Sequence, residues 1–163
     1  PKYNLSQTRR YAGIMDALSE ANVPASNIRE IDYHTVFGSS AESTSSYKSY
    51  EELFFPVNYT AVIGFNDLQS YSAMEILQKK GYRIPEDISL ISFDNLRKTH
   101  TYLPPLTSIA DNSEKSIADT AVSILLDKIR NPSSEISSKV LPVSIFDGHT
   151  TGPINETFAH SFE

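Results

Sequence analysis

Residues 61–95 read AVIGFNDLQSYSAMEILQKKGYRIPEDISLISFDN, and this stretch decides the fold class of the chain. A short apolar run leads into an amphipathic helical pattern, a glycine turn and a second apolar run. Two apolar strands joined by a helix predict neighbouring parallel strands in one sheet. Each strand is followed by a polar pair, Asn66-Asp67 and Asp94-Asn95. Ligands of such sheets bind at the carboxyl ends of the strands, so the stretch predicts a pocket for a small polar molecule.

Helical and strand patterns alternate along the rest of the chain. Apolar residues recur at spacings of three and four in the helices, and short apolar or alternating runs mark the strands. Predicted helices cover residues 6–21, 49–55, 68–81 and 113–130, and predicted strands cover 28–33, 60–65, 88–93 and 140–146. Residues 39–46, SSAESTSS, predict a flexible polar loop or the start of a helix, and residues 152–163 predict a tail. This alternation predicts an α/β fold with a mainly parallel sheet flanked by helices.

Composition is that of an ordinary globular protein and excludes several kinds of site. The 163 residues are 39% apolar and 21% charged, which is enough for one core. A net charge of -6 argues against the chain itself gripping the phosphate backbone of DNA. The absence of cysteine excludes disulfides, thiolate catalysis and Cys-ligated zinc, and it fits a reducing compartment such as the cytoplasm. Neither a long apolar stretch nor a signal peptide is found, so no membrane association is predicted.

Four motifs, in order and at matching spacing, carry a family resemblance. They read SQTRRYAGIMDAL at 6–18, GFNDLQSYSAMEIL at 64–77, IPEDISLISFDN at 84–95, and PPLTSI at 104–109 ahead of an AVSILLDKI helix. Together they resemble the effector-binding core of the lactose-repressor/galactose-repressor (LacI/GalR) family of bacterial transcription regulators. The resemblance covers about residues 6–151, which is nearly the whole chain.

The resemblance implies a type I periplasmic-binding-protein-like fold, in which two similar subdomains hold an effector such as a sugar. Residues 1–151 would be an effector-binding and dimerisation region made mostly of the C-terminal subdomain. The helix at 113–130 would belong to the N-terminal half, so its apolar face would lack its native partner and is expected to pair with a second copy. The start, PKYNLSQTRR, has no initiator Met, and we expect a piece of a longer regulator whose operator-binding headpiece lies outside it.

The resemblance also implies which residues contact the effector. Arg10 matches the arginine of the family's S-x-x-x-R-x-x-G helix, and its guanidinium fork suits ring oxygens and hydroxyls. Asn66 matches the family's ligand-binding Asn, whereas its neighbour Asp67 is expected to cap the helix. Asp94 matches the family's acceptor of effector hydroxyls. From the residues alone, Arg10 could equally be a solvated surface side chain, Asn66 a helix cap and Asp94 a turn residue.

The chain departs from the family pattern where an aromatic ring usually stacks on the effector. Ser40 occupies the aligned position, and Phe37 is the nearest aromatic substitute, so both are candidate ligand contacts. Tyr71 and Tyr102 match positions that the family uses in its homodimer interface. Alternatively, both tyrosines are ordinary core or surface residues, because the enrichment of aromatic residues at interfaces is only a modest signal.

Three functions compete for this chain. The leading one is effector sensing in a transcription regulator, and the alternative is a solute-binding protein of a sugar transport system, which shares the fold. An enzyme on a doubly wound sheet is disfavoured, because neither a G-x-S-x-G elbow nor a glycine-rich phosphate loop is present. The histidines show no metal-ligand spacing; they are His34, His100, His149 and His160. We therefore expect neither catalysis nor a cofactor or metal.

Overall fold

A computed structural model describes residues 5–31, 52–113, 116–135 and 138–162, which form helices around one four-stranded sheet. The helices are α1 (Leu5–Glu20), α2 (Asp67–Lys79), α3 (Ile117–Arg130) and the short α4 (Glu156–Ala159). The strands are β1 (Ala61–Ile63), β2 (Ser89–Phe93), β3 (Thr107–Asp111) and β4 (Val143–Phe146). Single 3-10 turns lie at Ala25–Asn27, Leu96–Lys98 and His160–Phe162.

The sheet has the order β1-β2-β3-β4 and is mainly parallel, as the sequence predicts. β1 runs parallel to β2 with Val62 opposite Leu90, and β2 runs parallel to β3 with Phe93 opposite Ile109. β4 closes the order as an antiparallel strand beside β3. The carboxyl ends of the three parallel strands therefore share one edge of the sheet, where the first candidate residues were expected.

The α2 helix covers one face of the sheet and supplies three of the seven buried apolar residues in the described part of the chain. Ala73, Met74 and Leu77 lie on its buried side, and Met74 packs with Leu90 and Leu106. The helix ends at a left-handed turn in which Gly81 has a φ of 92°, a conformation that glycine adopts without a Cβ penalty. Burial of this apolar stripe is what fixes the helix against β2.

Several predicted elements differ from the structure, and the strand β3 (Thr107–Asp111) was not predicted. Residues 28–31, in the predicted strand 28–33, pair with none of the described strands, and the Arg29 guanidinium instead donates to the carbonyls of Phe55 and Pro56. The predicted helix at 113–130 begins only at Ile117, because Ser116 forms a capping box with Asp119. The polar loop 39–46 and residues 49–51 of the predicted helix 49–55 lie outside the described residues. Of the remainder, Glu52 is helical and residues 53–54 form a turn.

The α3 helix exposes an apolar face. Ile117, Leu125 and Ile129 are 61%, 58% and 63% exposed, and Thr120 is the helix's only buried residue among those described. The spacing of these residues agrees with the stripe that the sequence predicts. Pairing of this face with a second copy stays a prediction. Within the described ranges, no helix is long and apolar enough to cross a membrane.

Residues 152–162 pack against the start of β2 and the turn before it. The Gly152 amide donates to Ser89 Oγ at 3.1 Å, and Asn155 Nδ2 donates to Asp87 Oδ1 at 3.3 Å. The rings of Phe158 and Tyr82 meet edge to face with centroids 5.9 Å apart. The segment predicted as a tail therefore ends in a short helix docked on the body of the domain.

Asp87 joins the turn before β2 to this docked segment, and we expect it to make the stability of the fold depend on pH in the acidic range. The Arg83 guanidinium, donating to both carboxylate oxygens, holds the pKa of Asp87 at about 2. Because this pKa lies below the unfolded value, the stabilisation is complete above about pH 4 and is lost as the pH falls toward 2. Asp87→Asn should lower the free energy of unfolding by about 1 kcal/mol at pH 7. Thermal unfolding from pH 7 to pH 2 measures this.

Glu75→Gln is the matched control, because Glu75 pairs with Lys79 on the exposed surface of α2 at 2.7 Å. Exposed pairs of this kind contribute little, so we expect no measurable change. A stability difference between Asp87→Asn and the unmodified chain that stays constant down to pH 2 would contradict the proposed role of Asp87.

Candidate functional site

Arg10 lies at the carboxyl edge of the sheet and connects the ends of two strands. Its Nη1 donates to the Phe65 carbonyl, just after β1, at 2.5 Å, and its Nη2 donates to Asp94 Oδ1, just after β2, at 2.6 Å. The guanidinium carbon also lies 4.9 Å from the ring centroid of Phe93. Helix α1 thus brings Arg10 to two residues that follow it by 55 and 84 positions in the chain.

The Arg10–Asp94 pair is partly open to solvent. The Arg10 side chain is 29% exposed and the Asp94 side chain 40% exposed. Within the part of the chain that the structure describes, Asp94 Oδ2 and Arg10 Nε make no hydrogen bond. The pair is therefore neutral as a unit, yet it presents an acceptor and several N–H donors to a molecule at this edge.

Asp94 and Asn95 have backbone conformations that residues with side chains rarely adopt. Their φ angles are 102° and 49°, and the Asp94 amide donates to the Ile109 carbonyl at 2.9 Å. Left-handed backbone at a non-glycine residue costs on the order of 1–3 kcal/mol and is common at functional sites. The turn directs the Asp94 carboxylate toward Arg10.

Asn66, and not Asp67, caps the α2 helix. Asn66 Oδ1 accepts from the Gln69 amide at 2.9 Å, so the prediction that Asp67 caps the helix is wrong. Asn66 Nδ2 donates to none of the described residues, and its effector contact stays a prediction. The capping oxygen is used, which leaves the amide N–H groups for a ligand.

Asp67 is instead buried, with 1% of its surface exposed. Its Oδ1 accepts from Ser108 Oγ at 2.7 Å and its Oδ2 accepts from the Leu96 amide at 2.6 Å. A sequence signal for this burial exists, because Asp67 precedes Ser70, Met74 and Leu77 at helical spacings of three, seven and ten. The carboxylate falls on the same stripe as the apolar residues that contact the sheet.

Tyr71 lines a groove beside α2, and Tyr102 is an exposed residue that precedes Leu103, another residue of that lining. Tyr71 donates from its hydroxyl to the Pro104 carbonyl at 2.9 Å, and its pKa is raised by burial and by the nearby Asp67 carboxylate. Tyr102 is 80% exposed and meets the His100 ring edge to face. A groove of about 470 Å³ lies beside Tyr71, lined by Tyr71, Met74, Glu75, Gln78, Lys79, Leu103 and Pro104. This placement leaves both tyrosines accessible at or beside the groove.

The other two candidate ligand contacts stay predictions. Phe37 and Ser40 lie outside the described residues. No three His, Asp or Glu side chains cluster as metal ligands within residues 5–31, 52–113, 116–135 and 138–162. The edge formed by Arg10, Asn66 and Asp94 is thus a hydrogen-bonding surface of mixed donors and acceptors.

Comparison with known proteins places these features in a family. The family described as "Periplasmic binding protein-like domain" matches residues 2–151. The HTH-type transcriptional repressor PurR of Aliivibrio salmonicida is 35% identical over 127 residues, which are 77% of this chain and 36% of the relative. The chain therefore spans about a third of the length of that curated relative.

Solved structures agree with this match. A LacI family transcriptional regulator from Enterococcus faecium, with bound ribose, has a TM-score of 0.68 and 26% identity, over 91% of this chain and 53% of that one. A periplasmic binding protein/LacI transcriptional regulator from Alkaliphilus metalliredigens, complexed with D-xylulofuranose, has a TM-score of 0.59 and 26% identity, over 88% and 51%. The described fold is therefore part of a periplasmic-binding-protein-like domain.

Proposed function

The chain belongs to the periplasmic binding protein-like domain family, in the effector-binding region of LacI/GalR regulators, and from this we propose that it senses a small sugar-like effector. The observation that carries the proposal is the cluster of Arg10, the Phe65 carbonyl and Asp94 at the carboxyl edge of the sheet. Ligands of open α/β sheets bind at this edge. Effector sensing without chemical conversion fits relatives that are transcription regulators.

The chemistry of this edge favours an uncharged molecule with several hydroxyls. Asp94 neutralises the Arg10 guanidinium at 2.6 Å, so a carboxylate or phosphate ligand would have to displace an existing partner. A hydroxyl can instead donate to Asp94 Oδ2 while it accepts from Arg10 or Asn66. Ribose and D-xylulofuranose, which are bound by two structural relatives, have this chemistry.

We place the chain within a longer regulator as its dimerisation and effector-binding part. Residues 1–151 would form one wall of the effector cleft, α3 would belong to the other subdomain, and residues 152–163 would follow as a C-terminal segment. Tyr71 and Tyr102 would lie in the homodimer interface. Effector binding would shift the subdomains and change the affinity of a separate headpiece for operator DNA in the cytoplasm.

The transport alternative has less support. The curated relative is a transcriptional repressor, and the sugar-bound structures include a LacI family transcriptional regulator. A helix-turn-helix encoded upstream of Pro1 in the intact gene would favour the regulator, whereas a signal peptide there would favour transport.

We expect the isolated chain to bind sugar weakly, because it supplies one wall of the cleft. Titration with D-ribose, followed by ¹H–¹⁵N NMR, should shift the signals of Arg10, Asn66 and Asp94 with a Kd of about 1 mM or weaker. The same titration with adenine and with phosphate tests whether a nucleobase or an anion shifts these signals instead of the sugar.

Arg10→Lys tests whether the guanidinium fork makes the contact, since one ammonium cannot reproduce two parallel donors. We expect Arg10→Lys to remove the ribose-induced shifts and the control Arg9→Lys, at an exposed neighbouring position, to retain them. Micromolar binding by the isolated chain would overturn the expectation that one wall is insufficient. Equal shifts in both variants would refute the assigned role of Arg10.

A further inference from the structure

We propose that Asp67 and Ser108 form a buried clamp that positions Asp94 for its effector contact. This inference rests on the proposed function, because it gives the Arg10–Asp94 pair two supporting residues that do not touch the effector. Both are fully or almost fully buried, with exposures of 1% for Asp67 and 0% for Ser108. Asp67 starts α2 and Ser108 lies in β3, so the clamp joins the helix to the sheet behind the turn.

The clamp holds the backbone of the turn through consecutive amides. The Asn95 amide donates to Ser108 Oγ at 2.9 Å, and the Leu96 amide donates to Asp67 Oδ2 at 2.6 Å. Ser108 Oγ donates in turn to Asp67 Oδ1 at 2.7 Å, which links the two anchors to each other. The Asp94 amide is bound separately to the Ile109 carbonyl. Three successive N–H groups of the turn are thus tied to β3 and α2.

This anchoring explains how the strained turn persists. Asp94 and Asn95 have positive φ angles, and the hydrogen bonds that oppose their relaxation end on the clamp and on β3. A buried carboxylate is unfavourable unless its oxygens are paired, and both Asp67 oxygens accept a hydrogen bond. The N-terminal end of α2 also favours the negative charge of Asp67.

The conformation of this turn also determines whether the Arg10 guanidinium can bond the Asp94 carboxylate. Arg10 Nη1 is held by the Phe65 carbonyl independently of the turn, whereas Nη2 depends on the position of Asp94 Oδ1. A turn that relaxes toward ordinary backbone angles carries the Asp94 carboxylate away from the guanidinium. Loss of the clamp therefore breaks the effector pair and leaves the other contacts of Arg10 in place.

Ser108→Ala tests the clamp, and Ser92→Ala is its matched control. Ser92 is equally buried, in the neighbouring strand β2, and its hydroxyl accepts from Ser70 Oγ at 2.8 Å. Among the described residues, no hydrogen bond joins the Ser92 hydroxyl to the turn. Both variants lose one buried hydroxyl and should lose similar thermal stability. We expect Ser108→Ala to speed hydrogen exchange of the Asn95 amide about tenfold relative to Ser92→Ala. It should also abolish the slowly exchanging NMR signal of the Arg10 Nη2 group, which bonds Asp94, and retain that of the Nη1 group, which bonds Phe65.

Asp67→Asn is a second variant that preserves shape if Ser108→Ala fails to fold. A neutral amide oxygen accepts a weaker hydrogen bond than a carboxylate, so exchange of the Leu96 amide should rise several-fold. Unchanged Asn95 and Leu96 exchange, or an Arg10 Nη2 signal that persists in Ser108→Ala, would overturn the clamp.

A D-ribose titration of the same variants separates the two proposals. If ribose shifts the signals of the unmodified chain and of Ser92→Ala but not those of Ser108→Ala, the clamp and the effector site are both supported. If ribose shifts none of them while exchange and Arg10 signals still distinguish Ser108→Ala, the clamp is supported and the sugar assignment fails.

Discussion

Gly148→Ala should destabilise the chain by at least about 3 kcal/mol, enough to unfold much of a domain of ordinary stability. A Cβ at Gly148 would lie 2.2–2.6 Å from the carbonyl carbon, nitrogen and Cα of Leu106, which are backbone atoms directly before β3. Backbone atoms that lead into a paired strand cannot move aside as a flexible side chain can. Either the β3 entry or the turn after β4 must therefore shift. Urea unfolding followed by circular dichroism measures the loss.

Gly13→Ala is the control for this prediction, because a Cβ there would meet nothing within 4 Å. Gly13 lies on an exposed face of α1, where alanine is a better helix former than glycine by roughly 0.5–1 kcal/mol. The same chemical change should therefore have opposite signs at the two sites. A Gly148→Ala protein as stable as the unmodified chain would show that the approach to Leu106 is looser than the structure has it.

Thr150→Val should lower the free energy of unfolding by about 3 kcal/mol, although the two side chains have nearly the same shape. Thr150 Oγ1 donates to the Leu90 carbonyl at 2.6 Å and accepts from the Thr107 amide at 2.9 Å. Valine would leave both backbone groups buried without a partner, and each such group costs about 1–3 kcal/mol. Differential scanning calorimetry of the variant measures the change.

Thr151→Val, at the adjacent exposed position, controls for the general effect of replacing a hydroxyl by a methyl group. Surface substitutions away from specific contacts usually change stability by less than about 0.5 kcal/mol, and we expect this one to do so. If Thr150→Val and Thr151→Val have the same melting temperature, the Thr150 hydroxyl contributes no more to stability than a surface hydroxyl does.

Gly148 and Thr150 lie in one segment, which holds the strands together on the side of the sheet away from the candidate site. Thr150 bridges Leu90 in β2 and Thr107 in β3, and Gly148 allows that segment to approach Leu106. Arg10 and Asp94 lie beyond the carboxyl ends of β1 and β2. The segment fixes the relative position of the strands, and the opposite edge is left for a ligand.

Local chemistry accounts for what could be predicted of the site. Polar residues that end apolar runs mark strand ends in any parallel sheet, so Asn66 and Asp94 could be identified from the amino-acid sequence alone. The family motif around Arg10 brought it into the same prediction. The roles of Asn66 and Asp67 could not be separated this way, because either side chain can cap a helix. Which one does so depends on the rotation of α2 against β3, and Ser108 provides the buried partner that holds Asp67.

Although the sequence did not predict the strand β3 (Thr107–Asp111), it determined by itself the α/β class, the mainly parallel sheet and the edge that carries the polar residues. These features follow from periodicity and strand-end chemistry, which act over a few residues. Only the tertiary structure decided that Arg10 pairs with Asp94, that Asp67 and Ser108 hold the turn, and that Gly148 meets Leu106. These contacts join residues that lie far apart in the chain, by 41 positions for Asp67 and Ser108 and by 84 for Arg10 and Asp94. Their geometry is set by the packing of helices on the sheet, which no local pattern encodes.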